Sequence, residues 1–495
     1  MQITSFRRIV PWVLFSSALM LLVYTGMRAD RLSMTIDESN TYLNFKDTDL
    51  STCFSSPDCW STANNHLLNT FLMQQSVKIF GVSEFSLRLP NVLAHLLYLI
   101  CSIWLVFHLS KQGLLQLAGF AILNLNPYLL DFFSLCRGYG LCVAFVLLSL
   151  LQYYRYLQGN RPAALWWTFG ALIPAVLANF IALAFFAALW GLHLFLLLAE
   201  SYRKEWPIRQ SVKHFFKQQA APLATAIIIG LLVYRPILFL QEKGEFLFGA
   251  SQLMNTFRLM AADTLYGKLY LGEFTIPVFE IAAGSLILSS IVLSFRGWYR
   301  NTAARFHWAM SILLLVLLEI MILQHQLLGS EYLVNRKALL FFPVMGLILW
   351  LGLEHLYNTG KTKAAFILSS CLLLWWTIHF GRSMNLRSAR EWNFDEYTRE
   401  MLYDVKTMMP AGKEKVSLGL KWIFMPTAEF YWQTRKIDWI EPLKFESDLH
   451  PDKGYDFYYV EHGDLPTMQD KYQIAKDYFW GKYLMVPKGG EWSEE

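Results

Sequence analysis

An adjacent carboxylate pair, Asp37 and Glu38, opens the run Ile36-Asp37-Glu38-Ser39-Asn40 near the start of a polar stretch spanning residues 28–87. Two adjacent carboxylates at a membrane surface suit general-base work, because partial burial and mutual repulsion can raise one pKa of such a pair. The competing role is a solvated acidic turn that caps a following helix, because Asp and Ser are good N-caps. The same stretch holds Asn64-Asn65-His66 ahead of a run to Phe80. That run reads as an interfacial helix, with Leu68, Phe71, Leu72 and Ile79 on its apolar side. It closes on Glu84-Phe85-Ser86-Leu87-Arg88-Leu89-Pro90, and further on come Asn126-Pro127 and then Arg137-Gly138-Tyr139. Cys53 and Cys59 sit close together in the stretch. An oxidising compartment would join them as a disulfide, and the alternative is two unpaired loop thiols. Connectors of about sixty residues are uncommon and tend to be functional.

These residues have to be positioned by a membrane domain. The chain has 495 residues, 55% hydrophobic and only 16% charged, where soluble domains carry about 25% charged residues. Apolar runs long enough for about 30 Å of hydrocarbon occur at 9–27, 88–107, 113–131, 139–157, 163–178, 180–199, 220–240, 276–295, 306–327, 337–356 and 364–380. Eleven spans follow if Asn179 separates the fifth from the sixth, and ten if it does not. Basic residues gather in alternate connectors (Arg7, Arg8, Lys111, Arg155, Arg203, Lys204, Lys213, Arg300, Arg305, Lys361), which puts the N-terminus in the cytoplasm. The carboxylate pair, the long loop and residues after 381 then face outward. No small-x-small cleavage site follows the first span, so it reads as a retained helix. The chain also lacks an Asn-x-Ser/Thr sequon, which favours a bacterial inner membrane over an N-glycosylated luminal setting. A net charge of +5, mostly on one side of a membrane, is no nucleic-acid stripe.

At residues 30–150 the sequence resembles the membrane-embedded GT-C glycosyltransferases, in the branch of protein O-mannosyltransferases and lipid A aminoarabinose transferases. The resemblance is carried by Asp37-Glu38, by Phe80-Gly81 with Glu84 to Pro90, by Asn126-Pro127 and by Arg137-Gly138-Tyr139. A looser match runs from Asn335-Arg336-Lys337 to Pro343. It implies an all-α polytopic GT-C-like domain of about eleven transmembrane helices and a sugar donor carried on a polyprenyl phosphate. Asp37 would deprotonate the hydroxyl of a glycan, lipid or protein acceptor, with inversion at the anomeric carbon. Arg137, Arg336 and Arg88 would stabilise the departing phosphate, although Arg88 at a membrane boundary also suits snorkelling or pairing with Glu84. Where the aminoarabinose transferases carry an acid and a lysine followed by two prolines, this chain has Asn64-Asn65 and His66. Asn65 and His66 would then meet the phosphate as hydrogen-bond donors. Glu38, His66 and His325 are the residue types that a divalent metal would take on that side.

Residues 381–495 alternate strand-like and helix-like segments. Strands are expected at 416–422, 436–440 and 455–460, and helices up to about 409, at 426–435 and at 466–478, which makes a small α/β extracytoplasmic domain. Its aromatics Trp422, Phe430, Tyr431, Trp432, Trp439, Tyr458 and Tyr459 suit a core better than a carbohydrate surface, and the expected role is support or acceptor recognition. The domain reading is therefore 1–380, with the loop 28–87 as its catalytic part, followed by 381–495. Two rivals remain: a ligase or polymerase using a lipid-diphosphate donor, and a flippase of lipid-linked oligosaccharide. A transporter places ionisable groups at mid-membrane, where this chain has chiefly His95, His193 and Glu319.

Overall fold

The computed structural model describes residues 2–60, 64–159, 161–203, 208–245, 249–297, 301–490 and 492. Lys204 and Arg300 among the cations above, residues 61–63 of the long loop and the last three residues lie outside the described residues. The chain divides into two compact units. One comprises Met1–Met27, Asp49–Met73 and Arg88–Met384, and the other Arg28–Thr48, Gln74–Leu87 and Asn385–Glu495. The boundary expected at 380/381 thus falls at Met384/Asn385. The long loop is not wholly part of the membrane domain, since its two ends fold with the C-terminal region.

In chain order the helices are α1 (Gln2–Arg31), α2 (Ile36–Phe45), α3 (Leu67–Phe80), α4 (Glu84–Leu109), α5 (Gly113–Asn124), α6 (Pro127–Phe132), α7 (Gly138–Gly159), α8 (Pro162–Gly170), α9 (Leu172–Ala178) and α10 (Ala182–Arg203). Then follow α11 (Ile208–Glu242), α12 (Leu253–Thr264), a short strand β1 (Tyr270–Glu273), α13 (Thr275–Ser294), α14 (Thr302–Leu328), α15 (Phe341–Asn358) and α16 (Thr362–Ser383). Among the described residues eight helices (α1, α4, α7, α10, α11, α13, α14 and α16) are long and apolar enough to cross a membrane. The chain is a multi-pass membrane protein.

Helix covers all eleven expected spans, but three differ from a continuous membrane helix. The third breaks at Leu125, because the Asn126 side chain caps α6 by accepting from the Tyr128 and Leu129 amides and Pro127 follows. The fifth breaks at Ala171, three residues before Pro174, whose ring and missing N–H disfavour a continuous helix there. The tenth enters through a 3-10 turn, Asn335–Ala338, before the 18-residue α15. Asn179 does interrupt the chain: its backbone is extended, and its side chain accepts from the Ile181 amide at 3.0 Å.

Within the helical unit α15 packs against α5, α13, α14 and α16. Small residues set two of those crossings. A Cβ on Gly119 of α5 would lie 2.4 Å from the buried Trp350 ring, and one on Gly352 would lie 2.2 Å from Ser290 Oγ on α13. Trp350 Nε1 also donates to the Leu115 carbonyl at 2.9 Å, so the indole is both packed and satisfied.

The second unit adds α17 (Thr398–Thr407), β2 (Leu418–Leu420), α18 (Met425–Thr434), β3 (Phe457–Glu461), α19 (Leu465–Met468), β4 (Tyr472–Tyr478) and β5 (Lys482–Pro487). The sheet order is β2-β3-β5-β4, with β2 and β3 parallel and the other pairs antiparallel. The helix expected over 466–478 is corrected to one short turn followed by strand β4. Tyr472 and Tyr478 are buried at its ends while β5 buries Leu484, Met485 and Val486, so pairing and burial override local preference. Trp480 and Gly481, both at positive φ, close that hairpin. Lys436–Ile440 is not a strand either, and only Ile440 bridges to Val416. The aromatics resolve mainly as core. Phe430, Tyr431, Trp439, Tyr458 and Tyr459 are buried, whereas Trp422 is exposed.

Candidate active site

Asp37 lies in the first turn of α2, in the second unit. Both carboxylates of the pair are buried rather than solvated, while the helix-capping part of the alternative holds for Glu38. The N-cap is Thr35, one residue before the helix. Glu38 completes a capping box, its Oε2 accepting from the Thr35 amide at 3.0 Å while Thr35 Oγ1 accepts from the Glu38 amide at 3.3 Å. The carboxylate of Glu38 therefore has a structural duty at the start of α2.

Two residues of the C-terminal region complete this local frame. Tyr431 accepts from the Met34 amide through its hydroxyl at 2.8 Å, and Asp395 Oδ2 accepts from the Ile36 amide at 2.7 Å. Burial holds the Asp395 carboxyl well above the usual carboxylate range against the pull of the Ile36 amide, and the charges of Asp37 and Glu38 add to that rise. Sequence reasoning missed Asp395. No motif marks it, and its partner is 359 residues away in the chain. In the same unit Glu84 forms ion pairs with Arg399 (3.1 Å) and with Arg435, and the buried Arg28 donates to the carbonyls of Asn385 (2.7 Å) and Ser388 (3.0 Å).

The second group of expected residues lies in the helical unit, where Asn64–His66 meets Arg137-Gly138-Tyr139. The buried Arg137 donates from Nη2 to Asn64 Oδ1 at 3.0 Å. Gly138 is needed for the approach, because a Cβ there would sit 1.9 Å from the Ala178 carbonyl oxygen and 2.8 Å from His66 Cβ. The Tyr139 ring stands edge-on to His66 at 5.2 Å. A polar ladder holds the frame: Asn91 donates to Asn69 at 2.8 Å, and Asn69 donates to the Cys136 carbonyl at 3.1 Å. His66 bonds the Ala178 carbonyl through its ring, and its Nε2 is buried without a hydrogen-bond partner among the described residues. Burial first, then the positive charges of Arg137 and Arg336, hold its pKa well below the ordinary value, so the imidazole is neutral.

Arg336 is presented by the 3-10 turn Asn335–Ala338. Asn335 adopts φ 49°, which Asn tolerates, and donates to Asp263 Oδ2 of α12 at 3.1 Å. Arg88 is fully buried, unlike a side chain snorkelling to water. Asn65 is engaged within the loop, donating to the Cys59 carbonyl at 3.2 Å and accepting from Thr70 Oγ1 at 3.1 Å. Cys53 and Cys59 are joined as a disulfide, packed with Trp60, Leu67 and Leu240. Among the described residues no group of three or more His, Cys, Asp or Glu side chains is arranged to hold a metal ion. His325, one of the three residues considered for that role, hydrogen-bonds the Ser330 carbonyl at 2.8 Å and stacks on Tyr332.

No family model matches the sequence, and no curated protein matches it significantly. Among solved structures the chain is similar to ArnT from Cupriavidus metallidurans in the apo state, with TM-score 0.37, 12% identity and coverage of 96% of this chain and 98% of that one. It is similar to the same protein bound to undecaprenyl phosphate, with TM-score 0.36, 12% identity and the same coverage, 96% and 98%. A further similarity is to Archaeoglobus fulgidus oligosaccharyltransferase tethered with an acceptor peptide, with TM-score 0.47, 11% identity and coverage of 92% of this chain and 72% of that one. No residue role passes from these proteins to this chain.

Proposed function

We propose that the protein is an integral membrane glycosyltransferase that takes a sugar from a polyprenyl-phosphate donor and passes it to a glycan, lipid or protein acceptor on the outer face of the membrane. Asp37 acts as the base toward the acceptor hydroxyl, and Arg137 and Arg336 stabilise the leaving phosphate. The observation that carries this reading is the bearing of two guanidinium charges on the buried, neutral His66, from parts of the chain about 200 residues apart. A phosphate is the ligand such a spot suits, and His66 would add a hydrogen bond without a competing charge. Asn65 would serve the phosphate only by giving up its loop contacts. The residue motifs of Asp37-Glu38 and Arg137-Gly138-Tyr139 point to the same chemistry.

The flippase alternative has less support. His95 hydrogen-bonds Thr25 at 2.8 Å and stacks on Phe133, while His193 is enclosed by Tyr153, Tyr156 and Phe169. Both histidines have structural settings, and Glu319 is exposed on α14 rather than gathered with them.

The test is transfer by purified protein in detergent. A polyprenyl-monophosphate sugar should be used and a nucleotide sugar should not. Efficient use of a nucleotide sugar after all polyprenyl lipid is removed would overturn the reading, and use of a polyprenyl diphosphate alone would favour a ligase. Arg137→Ala and Arg336→Ala should each weaken donor use, Arg137→Ala the more severely because its guanidinium is also fastened to Asn64. Normal kinetics in both would place the phosphate elsewhere.

The orientation has its own test. With the N-terminus in the cytoplasm of a bacterial inner membrane, single cysteines at Lys213 and Lys361 should resist a membrane-impermeant thiol reagent in spheroplasts. One at Lys453 should label. Protection at 453 would reverse the side proposed for the second unit.

A further inference from the structure

We propose that Asp395 is a positioning residue for Asp37: its carboxyl fastens the Ile36 amide and so sets the first turn of α2 that presents the base. This rests on the reading of Asp37 as base, and it gives the C-terminal region a part in the chemistry beyond support or acceptor recognition.

Side chains hold four of the five backbone amides of residues 34–38. Met34 N–H is accepted by Tyr431, Thr35 N–H by Glu38, Ile36 N–H by Asp395 and Glu38 N–H by Thr35. Two of these four fasteners are local and build the cap. The other two come from residues 395 and 431, and of them Asp395 acts on the residue directly before Asp37. The first amides of a helix have no partner within it, so an external acceptor at Ile36 restrains the start of α2 more than one further along would. Pinning a catalytic side chain from behind narrows the range of directions it samples, and small misplacements are costly in rate.

The chemistry of Asp395 suits this duty. It is fully buried, and burial together with the nearby Asp37 and Glu38 charges favours its protonated form. A protonated carboxyl still offers an acceptor oxygen to the amide while adding no third negative charge beside the base. Asparagine has the same shape and keeps that acceptor. Alanine removes it.

The experiment compares Asp395→Ala with Asp395→Asn in the full-length protein by two readouts. Hydrogen–deuterium exchange over residues 33–39 should be about tenfold faster in Asp395→Ala and should return close to wild type in Asp395→Asn. In sugar transfer, kcat should fall about 10²-fold in Asp395→Ala with the donor KM unchanged, and Asp395→Asn should recover most of that loss. If Asp395→Ala does not accumulate, Asp395→Ser removes the acceptor reach with a smaller change in polarity. Wild-type exchange and turnover in the truncated variants would overturn the proposal. So would a change in donor KM alone, or failure of Asn to rescue. Absence of any transfer by the wild-type protein would instead strike the glycosyltransferase reading, and exchange would still decide whether Asp395 fastens the turn.

Discussion

Asp37→Asn should leave the protein folded and reduce sugar transfer by about 10²- to 10⁴-fold, the range that positioned acid–base groups contribute. The amide keeps the shape of the side chain but cannot take the acceptor proton. The neighbour makes the control. Glu38 supplies the acceptor in the capping box at the start of α2, and Gln can fill the same place, so Glu38→Gln should cost little in stability or rate. Glu38→Ala should instead lower stability by about 1 kcal/mol through loss of the cap. Circular dichroism and size-exclusion profiles establish folding, and single-turnover transfer measures the rate. Wild-type turnover in folded Asp37→Asn would remove Asp37 from the mechanism, and a loss in Glu38→Gln as deep as in Asp37→Asn would exchange the two roles.

Gly138→Ala should be the most damaging single methyl group in the helical unit. The added carbon would sit 1.9 Å from the backbone oxygen of Ala178 and 2.8 Å from His66 Cβ. A carbonyl at the end of α9 cannot rotate aside as a flexible side chain does, so α7, α9 or the Asn64–His66 segment has to move. Overpacking of this kind costs about 3 kcal/mol, the upper part of its usual range. The same shift would part Arg137 from Asn64 and lower donor use. Gly284→Ala is the matched control, since among the described residues nothing lies within 4 Å of a Cβ at that position of α13. Thermal melting in detergent should show a clear drop for Gly138→Ala and none for Gly284→Ala. Equal melting of Gly138→Ala and wild type would mean the close approach is not required.

The membrane class, the helical segments and the motif residues were legible in the sequence because they rest on short-range signals. An apolar run of about 20 residues has to be satisfied by helix in hydrocarbon, whatever its neighbours do. Asn126-Pro127 and Asn179 mark their breaks by capping and extended backbone, and Arg137-Gly138-Tyr139 is visible as a cluster. Cys53 and Cys59 lie six residues apart, close enough to be paired on spacing and compartment.

Only the tertiary structure decided which of those residues meet. Hydropathy has no term for an Asp that accepts an amide 359 residues away, so Asp395 is invisible until α2 and the C-terminal region fold as one unit. The capping duty of Glu38 was equally hidden, because it depends on Thr35 being the residue that caps α2. Strand β4 was misread as helix for a related reason: Gln473, Ala475 and Lys476 favour helix locally, and pairing with β5 along one edge outweighs that preference. Local sequence determined where the chain turns apolar, stops and starts. Long-range burial and pairing, whose free energy depends on neighbours distant in the chain, decided how the carboxylates are held and which cations bear on His66.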